Sequence, residues 1–123
     1  MVNRVVTILS EATATGAGST FTPHSNCKTF QAIGRTTSGS GSVVVKIQGS
    51  LTGGTYDDEW IDVQTITLTL SNDRASTNTD GQASESVWVY MRAKVTSISG
   101  TGASVDVHMG IEDDSRYGNC ETV

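Results

Sequence analysis

Two histidines, two cysteines and thirteen carboxylates are the groups in this chain able to do chemistry, and their spacing limits what that chemistry can be. Asp106 and His108 stand two apart, which on a strand puts both on one face. Such a pair supplies two members of a Ser/His/Asp arrangement, but no serine identifies itself as the third. A solvated sheet face is the simpler account of them. His24, beside Pro23, has no evident partner. Asp57, Asp58, Glu59 and Asp62 form one acidic cluster, and Glu112, Asp113 and Asp114 a second. Calcium draws its oxygens from alternating carboxylates and from carbonyls near a glycine. Neither cluster has the Asp-x-Asp-x-Asp-Gly spacing, so charged loops that keep the chain soluble are expected, with a cation at Asp57-Asp58-Glu59 as the alternative. Cys27 and Cys120 can pair, pinning the tail to the second strand, or remain thiols, as a cytosolic setting favours. Gly-x-Ser-x-Gly, His-Glu-x-x-His, Cys-x-x-Cys and a phosphate-cradling loop are all absent. The expectation is a protein without catalysis, cofactor or metal.

The elements that must position these groups are written in the composition. Hydrophobic residues make up 36% and charged residues 17% of the 123, and 18 Thr and 15 Ser fill the difference. Hydroxyl residues alternating with Val, Ile and Leu describe sheet with one wet face. No helical spacing of apolar residues supports a bundle or coiled coil. No apolar run is long enough for a membrane-spanning helix, and the patch in Met1–Leu9 is too short for a signal-peptide core. The expected setting is therefore the cytosol in which the chain is made, or release without Sec export. A net charge of −5 with eight scattered basic residues opposes nucleic-acid binding, which needs clustered Lys and Arg.

Period-two alternation predicts strands over Val2–Leu9, Cys27–Gly34 and Ser42–Gly49, the last with Val43, Val45 and Ile47 on one face. Ser10–Asn26 reads as an extended connection. Trp60–Leu70 changes phase between Ile61/Val63 and Ile66/Leu68/Leu70, which predicts a β-bulge near Gln64-Thr65. Ser71–Ala83 reads as the longest exposed loop. Val87 through Val95 and Ala103 through Met109 alternate as two more strands. The glycine-bearing turns Ser38–Ser42 and Ser99–Ala103 have similar flanks, which predicts two similar hairpins. The sum is an all-β, single-domain β-sandwich, jelly-roll-like, of about seven to eight strands. Residues 1–26 would form an N-terminal strand and arm, 27–110 the sandwich body and 111–123 an acidic tail. Trp60, Trp88 and Tyr90 fall opposite the aliphatic rows, where they would serve a protein interface or a ligand, unless register makes them core.

The run Phe30-Gln-Ala-Ile-Gly, then Gly39–Ser50, Trp60, Thr65-Ile-Thr-Leu, Trp88–Val95 and Ile98–Gly110 resembles the small β-sandwich virion proteins of tailed bacteriophages, most closely capsid decoration (cement) proteins. The likeness covers roughly residues 27–110 and rests on texture and word order. It implies a protein made in the host cytoplasm and carried on the outer capsid surface of the virion. There it would bridge subunits of the major capsid protein, itself a homodimer or homotrimer, and stabilise the head. The negative charge agrees with an outer position, because packed DNA would repel it. Val2, Val5, Val6, Ile8 and Leu9 would anchor the N-terminal segment on a neighbour, or simply form the first strand of the chain's own sheet. The alternative function is a tail- or surface-associated recognition module for host glycan or another virion protein, built on Tyr56, Trp60, Trp88 or Tyr90 grouped in a solvated hollow.

Overall fold

β-branched and hydroxyl residues alternate through most of the chain, and pleated strands are what that pattern forms. The computed structural model describes residues 3–23, 28–84 and 87–112. Eight strands follow: β1 (Asn3–Ala12), β2 (Gly16–Ala17), β3 (Lys28–Arg35), β4 (Ser38–Ser50), β5 (Ile61–Leu70), β6 (Thr79–Ser84), β7 (Tyr90–Thr101) and β8 (Ser104–Glu112). Two 3₁₀ turns, Asp57–Glu59 and Ser76–Asn78, flank β5. Among the described residues, no helix is long and apolar enough to cross a membrane.

The strands form two antiparallel four-stranded sheets, ordered β1-β8-β3-β6 and β2-β7-β4-β5. That order is a jelly roll. Its logic is a single long ribbon rolled up: β1 pairs with β8, β2 with β7, β3 with β6 and β4 with β5. Two further pairings, β3 with β8 and β4 with β7, close the sheets. Between them lies one apolar layer. Phe30, Ala32, Val105, Val107 and Met109 of the first sheet face Val43, Val45, Ile47, Ile66, Leu68, Met91 and Val95 of the second. Each fully buried aliphatic side chain of this kind contributes about 1.5–3 kcal/mol relative to leaving it in water.

The sandwich, its strand number and the inward face of β4 are as the alternation predicts. Several local expectations are corrected. β3 and β4 lie in different sheets, as do β7 and β8, so neither pair is a hairpin; of the consecutive described strands, only β4 and β5 share a sheet. The stretch Ser71–Ala83 holds a strand, β6, which has almost no apolar residue because it is an edge strand with largely solvated side chains. Ser10–Asn26 is not merely connection: β1 runs on to Ala12, β2 pairs with β7, and Phe21 bridges to Met91. β7 starts at Tyr90, leaving Val87 and Val89 exposed ahead of it. The bulge expected near Gln64-Thr65 is present in β5, at the adjacent Val63, because Ile47 pairs with Gln64 while Gln48 pairs with Asp62. Ile111 belongs to β8 and the core rather than to a tail.

Candidate functional site

The segment Leu51–Trp60 joins β4 to β5 and folds back over the outer face of the second sheet. Ser50 begins the turn: its hydroxyl accepts the Thr52 and Gly53 N–H groups at 3.1 and 2.8 Å. The Glu59 carboxylate accepts the Tyr56 N–H at 3.3 Å and the Thr52 hydroxyl at 3.2 Å. Trp60 then drops its ring onto the sheet, with Nε1–H donating to the Gly54 carbonyl at 2.9 Å. The Arg92 guanidinium lies 4.4 Å from the centre of that ring, a cation–π contact.

Around Arg92 the outer face carries a continuous polar chain. Arg92 Nε donates to Gln48 Oε1 at 2.8 Å, and Gln48 Nε2 donates to Asp62 Oδ1 at 2.9 Å. Lys46 Nζ meets Asp62 Oδ2 at 2.9 Å. On the other side Asp57 receives Arg92 Nη2 and Lys94 Nζ, each at 3.0 Å. The hydrogen bond from Lys94, with that from Arg92, holds the Asp57 carboxyl below the usual carboxylate range. Gln48 and Lys46 do the same for Asp62. Arg92 itself is buried, so Trp60, Gln48 and Asp57 satisfy a cation removed from water. The arrangement fastens a loop to a sheet; its carboxylates are committed to the chain's own cations.

The candidate interface residues separate. Trp60 is 7% exposed and Ile8 2%, so both are buried within the chain and neither can anchor a partner from the surface. Trp88 packs on the edge of the core against Gly49, where any Cβ would meet its ring. Its Nε1 is buried and, among the described residues, has no hydrogen-bond partner. Tyr90 is half-buried against Gly53. Val6 and Leu9 are half-buried at the core margin, and Val5 is exposed on β1, an edge strand of the first sheet. Three of the rings a sugar-stacking hollow would need are thus buried or half-buried against the chain's own backbone, and Tyr56 alone of the four is strongly exposed. Val2, His24, Cys27, Asp113, Asp114 and Cys120 lie outside the described residues.

Asp106 and His108 face β1, and each bonds to it. His108 Nδ1 lies 3.0 Å from Thr7 Oγ1, and Asp106 Oδ1 accepts the Glu11 N–H at 2.6 Å. Among the described residues, no three His, Cys, Asp or Glu side chains gather as a metal site requires.

Sequence reasoning missed a different gathering. Leu51, Tyr56, Ile61, Val87 and Val89 are five of the seven strongly exposed large hydrophobics among the described residues. Ile61 pairs with Gly49, Ser50 pairs with Tyr90, and Leu51 and Val89 adjoin that second pair. The register thus brings Leu51, Ile61 and Val89 to one end of the second sheet. No local periodicity signals this, because the residues come from three segments that meet only in the fold. Comparison of the chain with known proteins finds no matching family model, no matching curated protein and no matching solved structure.

Proposed function

We propose that the chain is a structural protein of a phage virion, a capsid decoration protein that docks on the outer surface of the head and bridges capsid subunits without catalysis. The observation that carries this reading is the apolar end of the second sheet. Monomeric proteins rarely gather exposed hydrophobics in this way, and such patches mark protein–protein contacts. The wording of residues 27–110 supplies the kind of partner, and the net charge of −5 favours a position away from packed DNA. The jelly roll is compatible with the role and, as a fold shared by many functions, adds only analogy.

The test is cosedimentation of the purified protein with phage heads that lack it, followed by a heat challenge. Saturable binding that delays head rupture is expected. Failure to bind heads, with the protein recovered instead on tails or on host-surface glycan, overturns the reading.

A further inference from the structure

At the opposite end of the sandwich from the apolar patch, the ends of β1 and β3 and the starts of β6 and β8 surround an open cleft of about 360 Å³. That volume lies at the small end of the roughly 300–1,000 Å³ typical of ligand sites. Arg35 and Arg74 both line it, together with Glu11, Asp106, Ser104 and Ile33. Among the described residues neither guanidinium has a salt bridge or hydrogen bond, whereas the side chains of Lys46, Arg92 and Lys94 are all ion-paired. In a chain of net charge −5, two idle guanidiniums facing one hollow is an unusual use of cations.

The backbone adds a second observation. Glu11, at φ 49°, and Arg74, at φ 60°, are the two non-glycine residues in the left-handed region among those described, and both line this cleft. Strain of this sort concentrates at functional sites. Glu11 reaches its conformation because β1 bulges between Leu9 and Ala12, and Asp106 holds the bulge by accepting the Glu11 N–H. The Glu11 carboxylate and the second Asp106 oxygen thus line the same cleft as the Arg35 and Arg74 guanidiniums.

We infer that this cleft binds a carboxylated sugar, its carboxylate held by Arg35 and Arg74 and its hydroxyls by Glu11, Asp106 and Ser104. A ligand matched to the cleft must offer a negative group and several hydroxyl donors together. In the free protein water solvates the charged groups of this open cleft. A ligand with both a negative group and hydroxyl donors replaces more of that water with charge-assisted hydrogen bonds than a bare anion or a neutral sugar does. The inference is independent of capsid docking, which uses the other end of the molecule.

The test is titration of the ¹⁵N-labelled protein with glucuronate, with glucose and acetate as the two incomplete ligands. Glucuronate is expected to shift the amides of Glu11, Arg35, Arg74 and Ser104 saturably, at least about tenfold more tightly than either control, the worth of one charge-assisted hydrogen bond. Arg35→Gln should weaken it by a similar factor. Glu11→Gly and Arg74→Gly separate binding from folding: glycine relieves the positive φ and should raise the melting temperature, while glucuronate binding falls. No saturable shift, equal binding of acetate or glucose, or unchanged glucuronate binding in Glu11→Gly and Arg74→Gly overturns the inference.

Discussion

Asp57 is largely exposed, yet it receives hydrogen bonds from both Lys94 and Arg92, and these lower its pKa. Asp62 is lowered likewise by Gln48 and Lys46. In the unfolded chain both carboxyls regain their ordinary affinity for protons, so near pH 4 the unfolded state binds more protons than the folded one. Their contribution to stability is therefore complete above that range and is lost as pH falls through the depressed folded values. Thermal unfolding followed from pH 7 to pH 2.5 should show the wild type losing stability more steeply in acid than a D57N/D62N variant, which starts lower at neutral pH. Because exposed pairs are screened, added salt should narrow the gap at pH 7. Parallel profiles would show that the outer-face network does not hold the Leu51–Trp60 loop energetically. Lys28 acts in the same direction at the other end of the pH scale. Burial lowers its pKa, so the unfolded chain takes up the proton more readily and stability rises as pH climbs toward the ordinary lysine range.

At the scale of elements, the two glycine turns show what sequence does and does not carry. The similar phrases Ser38–Ser42 and Ser99–Ala103 suggest two hairpins, but each adjoins a corner where the chain passes from one sheet to the other, and Ser38–Ser42 is the bulged start of β4. The two stretches pack together. The Thr37 N–H and hydroxyl both donate to the Thr101 carbonyl, at 2.9 and 3.1 Å, and Ser42 Oγ meets Ser99 Oγ at 3.1 Å. A Cβ on Gly41 would run into the Ser99 carbonyl oxygen, which is backbone and has little room to yield. Gly41→Ala should therefore cost about 1–3 kcal/mol, an overpacking penalty, measured as a shift of the urea midpoint at unchanged slope. An unshifted midpoint would mean that the corners separate freely. The same contrast governs the rest of the chain. The alternation in Val43–Ile47 and Ala103–Met109 is local and reports which side faces the core. Strand partners are not local in a rolled ribbon, where β1 meets β8 across a hundred residues. β6 escaped notice because its sequence, Thr-Asp-Gly-Gln-Ala-Ser, is shaped by solvent and by hydrogen bonds to β3 rather than by burial. The fastening of Asp57 to Arg92 and Lys94 was equally invisible: a bare acidic run looks like a solvated loop until β7 is placed beneath it.

For the whole molecule, the jelly roll separates two surfaces of opposite character. β4 runs thirteen residues from the corner end to the apolar end, a span of roughly 40 Å at strand rise. That distance exceeds the Debye length of about 8 Å at physiological salt several times over, so charge changes at one end barely reach the other. The residues also share no partners across the span, and effects at such separated sites add independently. Ile61 and Val89 are exposed, so Ile61→Lys with Val89→Lys should change stability by no more than about 0.5 kcal/mol each. The pair should nevertheless abolish cosedimentation with phage heads, because a docked apolar patch cannot bury two ammonium groups without partners. Glucuronate titration of the same variant should be unchanged. Arg35→Gln should give the converse, with normal head binding and weakened sugar binding. The experiment needs both readouts on both variants, because the two proposals together require the cleft end to stay accessible while the apolar end is buried on the head. Loss of head binding in Arg35→Gln, or retained head binding in the double lysine variant, would place the docking surface elsewhere and break the assignment of one function to each end.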